Sequence, residues 1–181
     1  MVGVILNPFT AHLYTAIDGE GSFQTVLSPD LSSTLSRTRL PLYQPASLSL
    51  KTSVIGVIIS SNRSDDIYKT SIKTFENLTS SSGGMVHGLR IHGSAALDLC
   101  FVACGFIDGA WQGCQEWDRC AGWVILKEAG GTIVSGEKPL RGSHTVKEPG
   151  LSDKMFLYVR AAKSKDETEM WIREFWDLIA D

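Results

Sequence analysis

The run Val54-Ile55-Gly56-Val57-Ile58-Ile59 constrains this chain more than any other stretch. It is β-branched almost throughout, which favours extended backbone. It is also apolar on both faces, so both faces must be covered, as in the strands of an α/β layer. The residues that follow supply the covers. Ile67, Tyr68, Ile72, Phe75 and Leu78 recur with a helical rhythm across residues 65–78. Met85 to Ile91 reads as a short strand. Ser94 suits the N-cap of a helix that runs to about Cys104 and closes at Gly105. That helix is apolar nearly all round, so it should be buried. Phe106 to Trp111, Thr132 to Val134 and Phe156 to Ala162 read as further strands. Residues 166–179 form an amphipathic helix with Met170, Trp171, Phe175, Trp176 and Ile179 on its apolar side. Strands that alternate with helices predict an α/β, or α+β, layered sandwich.

The chain begins differently. Val2 to Leu6, His12 to Ile17 and Ser22 to Thr25 form a short antiparallel meander that turns at Asn7-Pro8 and at Asp18-Gly19-Glu20-Gly21. Residues 28–49 are rich in Ser, Pro, Thr and Leu without a period, which predicts a loop or linker. Two units are therefore expected: residues 1–50, an antiparallel sheet with its loop, and residues 51–181, an α/β unit. A second loose loop is expected over residues 135–153.

Several function classes are excluded early. The formal net charge of -3 argues against a nucleic-acid partner read through phosphate. No apolar run reaches bilayer length, so no membrane partner is expected. The first residues lack the basic and small-residue features of a signal peptide, and the expected location is cytoplasmic. The sequons at Asn62 and Asn77 are then incidental. Cys100, Cys104, Cys114 and Cys120 lack zinc-type spacing with histidines, and Cys100 and Cys104, one helical turn apart in an apolar run, read as small core residues. His12, His87, His92 and His144 form no ligand pair at helical spacing. Ser94 lies in no nucleophile elbow, and residues 135–138 are not a P-loop.

The stretch from Trp117 to Gly131 carries the chemistry. Asp118 suits an N-cap, Ala121, Val124, Ile125 and Ala129 form a stripe for burial, and Gly130 can end the helix in the left-handed region. Ala121 and Gly122 are small enough for another backbone to approach. Spacing alone shows a capped helix here and an ordinary capped start at Gly93-Ser94-Ala95, where free helix amides beside a hydroxyl can hold an anion or a sugar hydroxyl.

Trp117-Asp118, Ala121-Gly122 and Glu128-Ala129-Gly130-Gly131 resemble the C-terminal signature of the inositol monophosphatase family, fungal members of the quinate pathway included. Gly3-Val4-Ile5-Leu6-Asn7-Pro8 and the segment from Arg90 to Ala96 are similar to further family motifs. Fungal relatives typically carry Trp-Glu-Gly-Gly-Cys where this sequence has Trp111-Gln112-Gly113-Cys114. The resemblance implies the C-terminal two-thirds of the sugar-phosphatase fold. It implies a Mg²⁺-dependent phosphomonoesterase that hydrolyses inositol monophosphate, or a related small sugar phosphate, by direct attack of metal-activated water. It further implies that Asp118 is the catalytic metal ligand and touches ring hydroxyls, that Gly93, Ser94, Ala95 and Gln112 bind substrate, and that the protein is a homodimer. The family's earlier Gly-Glu-Glu and Asp-Pro-Ile/Leu-Asp-Gly-Thr motifs do not occur in this sequence. A truncated chain is therefore expected. The alternative is a catalytically incomplete, phosphatase-derived fragment that acts as an interaction or regulatory module.

Overall fold

Two sheets with a pair of helices between them set the architecture. The computed structural model describes residues 1–59, 66–139, 146, 149–150 and 153–180, with no description of the Ile67 side chain. The sequon at Asn62, the expected helix start at residue 65 and His144 lie outside the described residues.

The first sheet is an antiparallel meander of β1 (Val2–Asn7), β2 (His12–Ile17), β3 (Gly21–Leu27) and β4 (Thr34–Arg39), in that order. Gly19 and Gly21 take φ of +83° and +93°, which lets Asp18-Gly19-Glu20 close the hairpin between the paired residues Ile17 and Gly21. Strand β4 lies where the sequence predicts only a loop. All six of its residues are exposed, so they carry no alternation of buried and exposed positions to mark a strand. Its Arg37 and Arg39 instead lie over the Phe23 ring, 4.1 and 5.9 Å from the centroid.

The second sheet runs in the order β6-β5-β7-β9-β8. Its strands are β5 (Val54–Val57), β6 (Gly88–Arg90), β7 (Gly109–Gly113), β8 (Thr132–Ser135) and β9 (Met155–Val159). β5 pairs in parallel with β6 and β7, while β9 runs antiparallel to β7 and β8. Strand β7 starts three residues later than the sequence predicts, at Gly109, and the residue before it, Asp108, bonds to Val54 and Arg160 through both its backbone and its side chain. Its carboxylate accepts hydrogen bonds from the Val54 amide at 2.8 Å and from Arg160 Nε at 2.7 Å.

Among the described residues four α-helices fill two layers. α2 (Ala95–Cys104) and α3 (Glu116–Glu128) lie between the sheets, in one core with Tyr14 and Ala16 of the first sheet and Ile133, Phe156 and Tyr158 of the second. α1 (Asp66–Thr79) and α4 (Lys165–Leu178) cover the far face, where Leu78, Trp171, Ile172 and Phe175 pack on Ile55 and Val57. The result is the layered α/β sandwich that strand–helix alternation predicts, and β5 is covered on both faces as its composition requires. The expected apolar side of α4 holds except for Met170, which is 56% exposed. Cys100 and Cys104 are buried free thiols, as expected, and burial pushes Cys104 up to about 12.

Close approach depends on two small positions. A Cβ on Gly3 would sit 2.3 Å from the Ala121 carbonyl oxygen, and one on Gly122 would sit 2.4 Å from Leu99 Cδ1. β1 and α2 therefore press directly against α3. The other end of α3 is tied down as well. Glu128 accepts hydrogen bonds from the Gly19 and Gly21 amides at 2.9 and 2.7 Å, and these hold its carboxyl below the usual range. On the outer face of the first sheet Val2, Val4, Leu6 and Ile17 are exposed. Among the described residues no helix is long and apolar enough to cross a membrane.

Candidate active site

The parallel strands β5 and β7 end side by side, and a cleft opens just beyond their carboxyl ends. Its volume is about 730 Å³, and Ile58 and Gly113 form its base. That size suits a small organic ligand, and strand carboxyl ends are where α/β sheets bind ligands. One wall is the start of α2, with Gly93, Ser94 and Ala95; the other is the start of α3, with Gln115, Glu116 and Asp118. Two helix N-termini therefore meet at one cavity, each with first-turn amides and a partial positive charge. A second cavity, of about 150 Å³, lies beside Arg160 and Asp108. Its polar groups are already engaged, since Arg160 also donates to the carbonyls of Ala46, Ser47 and Ala161.

The start of α2 follows from local chemistry. Gly93 takes φ +76°, and Ser94 is the N-cap, its Oγ accepting from the Leu97 amide at 3.3 Å. Around this turn His92 Nδ1 pairs with Asp98 Oδ1 at 2.5 Å. Asp98 is 1% exposed. Burial pushes its carboxyl up, and the hydrogen bond and charge of His92 pull it back down. The His92 ring also stands edge-on to Phe101, 5.0 Å between centroids.

The start of α3 differs from the sequence expectation. Its N-cap is Gln115, which makes no side-chain cap bond, and Asp118 is the third helical residue rather than the cap. Strand β7 is paired as far as Gly113, opposite Met155, so the chain is free to turn into the helix only two residues later. Asp118 is half-buried on the cleft wall, and among the described residues none donates a hydrogen bond to its carboxylate.

Gln112 is not on the cleft surface. The pleat turns it away with Ala110, toward the layer of α2 and α3, and it is 0% exposed. Its Nε2 donates to the Ala95 carbonyl at 3.3 Å. The structure thus brings Gly93, Ser94, Ala95 and Asp118 together and leaves Gln112 beneath them.

Sequence reasoning missed other lining groups. Cys114 lines the cleft with its Sγ 3.1 Å from the Tyr158 hydroxyl, and burial pushes its thiol up. Asp153 and Lys154 lie on the rim because β9 starts beside the end of β7. Arg119, 1% exposed with its guanidinium 4.5 Å over the Phe156 ring, lies under this rim. The His92–Asp98 pair had a possible signal, since both residues flank the Gly-Ser turn. The Asp153–Lys154 rim had none without the order of the sheet.

A divalent cation fits these residues only in part. Glu116, Asp118 and Asp153 line the cleft, but the described residues hold no group of three His, Cys, Asp or Glu side chains that could bind a metal. Mg²⁺ needs a near-octahedral set of oxygens. The described residues therefore do not make a metal site by themselves, and Asp118 can supply one position.

Comparison with known proteins bears on the family and the fold. The inositol monophosphatase family model matches residues 1–180. Inositol monophosphatase 2 of Saccharomyces cerevisiae is 34% identical over 184 residues, covering 99% of this chain and 57% of that protein. The quinic acid degradation cluster protein x of Neurospora crassa is 36% identical over 194 residues, covering 97% of this chain and 54% of that protein. Among solved structures, an inositol monophosphatase from Anabaena superposes with a TM-score of 0.68 at 26% identity, covering 98% of this chain and 57% of that one. The chain thus spans somewhat more than half the length of the relatives it matches.

Proposed function

The chain belongs to the inositol monophosphatase family, and from that premise we propose that its cleft is the substrate-orienting part of a phosphomonoesterase site. The substrate class is inositol monophosphate or a related small sugar phosphate. One observation carries the reading: the starts of α2 and α3, with Gly93-Ser94-Ala95 and Asp118, converge on a single cleft at the carboxyl ends of parallel strands.

Each wall then has its own task. The Ser94 Oγ accepts from Leu97, so its proton remains available to a ring hydroxyl on the substrate. The first-turn amides and the two positive helix ends favour a ligand that carries negative charge. Asp118 can accept from a second hydroxyl and offer one oxygen to a divalent cation, with Mg²⁺ the ion that the donor chemistry suits. Among the described residues no group of three His, Cys, Asp or Glu side chains completes the shell of that cation.

The test is phosphate release from myo-inositol 1-phosphate in Mg²⁺. It is run on this chain and on a hybrid in which the chain replaces the matching part of the yeast enzyme. Turnover by the hybrid that falls by at least about 100-fold in Asp118→Asn supports the reading. Undiminished turnover in that variant, or none in the parent hybrid, overturns it.

A further inference from the structure

Beneath the cleft, a side-chain bond joins β7 to α2. Gln112 is the fourth residue of β7 and is 0% exposed. Its Nε2 donates at 3.3 Å to the carbonyl of Ala95, the first residue of α2 and part of the cleft wall. Only the NH₂ end of a carboxamide can face a carbonyl, so that contact fixes the side chain's orientation. Its Oε1 is then turned to a buried position with no partner among the described residues. The Ala95 carbonyl already accepts the helical bond from the Leu99 amide, and Gln112 supplies a second donor to its other lone pair, tying the start of α2 to β7.

We infer that Gln112 is a positioning residue that holds the Gly93-Ser94-Ala95 turn from below and does not touch a bound ester. The inference rests on reading the cleft as the ester site, but the bond itself can be tested apart from that reading. A Glu here would have no donor when ionised. One oxygen would face the Ala95 carbonyl and the other would be buried without a partner, so the group would favour its protonated form. Protonated, it could donate to Ala95 in place of the lost N–H. Other titratable or charged groups buried on this face are Asp98 of α2, Arg119 of α3 and Tyr158 of β9, with Cys114 just past β7 itself. Asp98 opposes a second negative charge. Arg119, over the ring of Gln112's cross-strand partner Phe156, favours one.

The experiment compares the full chain with Gln112→Glu and Gln112→Met by hydrogen exchange over residues 93–98 at pH 5 and pH 8, corrected for intrinsic rates. Gln112→Met should speed exchange there by roughly ten-fold at both pH values, the loss expected of one buried hydrogen bond. Gln112→Glu should do so at pH 8 and return close to the parent rate at pH 5. In the hybrid enzyme at pH 8, both variants should raise KM by several-fold with kcat nearly unchanged. Parent-like exchange in both variants overturns the inference, as does a lowered KM in Gln112→Glu, which would mark direct contact with substrate. If Gln112→Glu does not fold, Gln112→Met decides alone. A hybrid without turnover would count against the phosphatase reading only, because the exchange rates still decide the role of Gln112.

Discussion

The two helix starts that meet at the cleft are built in opposite ways. At α2 the polar side chains serve the fold: Ser94 caps Leu97, and Asp98 is bound by His92. At α3 they are left over. Gln115 makes no cap bond, and Glu116 and Asp118 receive no hydrogen bond from a described residue. Polar groups that structure has already engaged can shape a site, whereas groups left free at a cavity can act on a ligand. α2 is thus the wall whose polar groups the fold engages, and α3 is the wall whose carboxylates the described residues leave without a hydrogen bond.

The largest effect on stability should come from breaking the α2 start. His92→Ala leaves the Asp98 carboxyl buried without its partner and should cost about 2–3 kcal/mol at neutral pH. The cost should depend on pH. Burial raises the folded-state pKa of Asp98 above its ordinary value of 3.8, so the folded chain binds that proton more tightly than the unfolded one. Its contribution is whole below 3.8 and is lost as pH rises through the folded value. His92 holds that folded value down, so removing it widens the window. Denaturant midpoints should therefore show the variant's deficit greatest at neutral pH and shrinking toward pH 4. A deficit independent of pH would mean that the pair does not organise this turn.

A smaller effect sharpens the contrast. Ser94→Ala removes a cap bond and should cost about 1 kcal/mol. Gln115→Ala at the matching position of α3 removes no cap bond and should stay within about 0.5 kcal/mol. Equal losses in thermal unfolding would erase the distinction between the two starts.

The same contrast explains what the sequence could reveal. Ser94 and Gly105 bound α2 as expected, because capping and left-handed closure are local rules. Gly130, at φ +80°, ends α3 for the same reason. The small residues Ala121 and Gly122 announced a close approach, and β1 and Leu99 make it. The start of α3 was not legible, since no good capping residue marks Gln115 and the pairing of β7 with β9 decides where the chain leaves the sheet. Strand β4, exposed at every residue, is held by pairing with β3 and left no hydrophobic pattern. Gln112 stood out through its resemblance to a family motif. Its burial follows from the pleat and from the contact with Ala95, which lies 17 positions away in sequence.

A small expected effect on stability falls at the residue with the largest expected role. Asp118→Asn removes a negative charge from the first turn of α3, worth about 0.5 kcal/mol through the helix dipole, and it breaks no hydrogen bond to a described residue. Its unfolding midpoint should nearly match the parent's, while the hybrid enzyme loses turnover. A carboxylate that merely supported α3 would behave in reverse, with a loss of 2 kcal/mol or more and turnover kept in the molecules that fold. The two measurements on one variant therefore separate a side chain that the fold needs from one that the fold holds ready at the cleft.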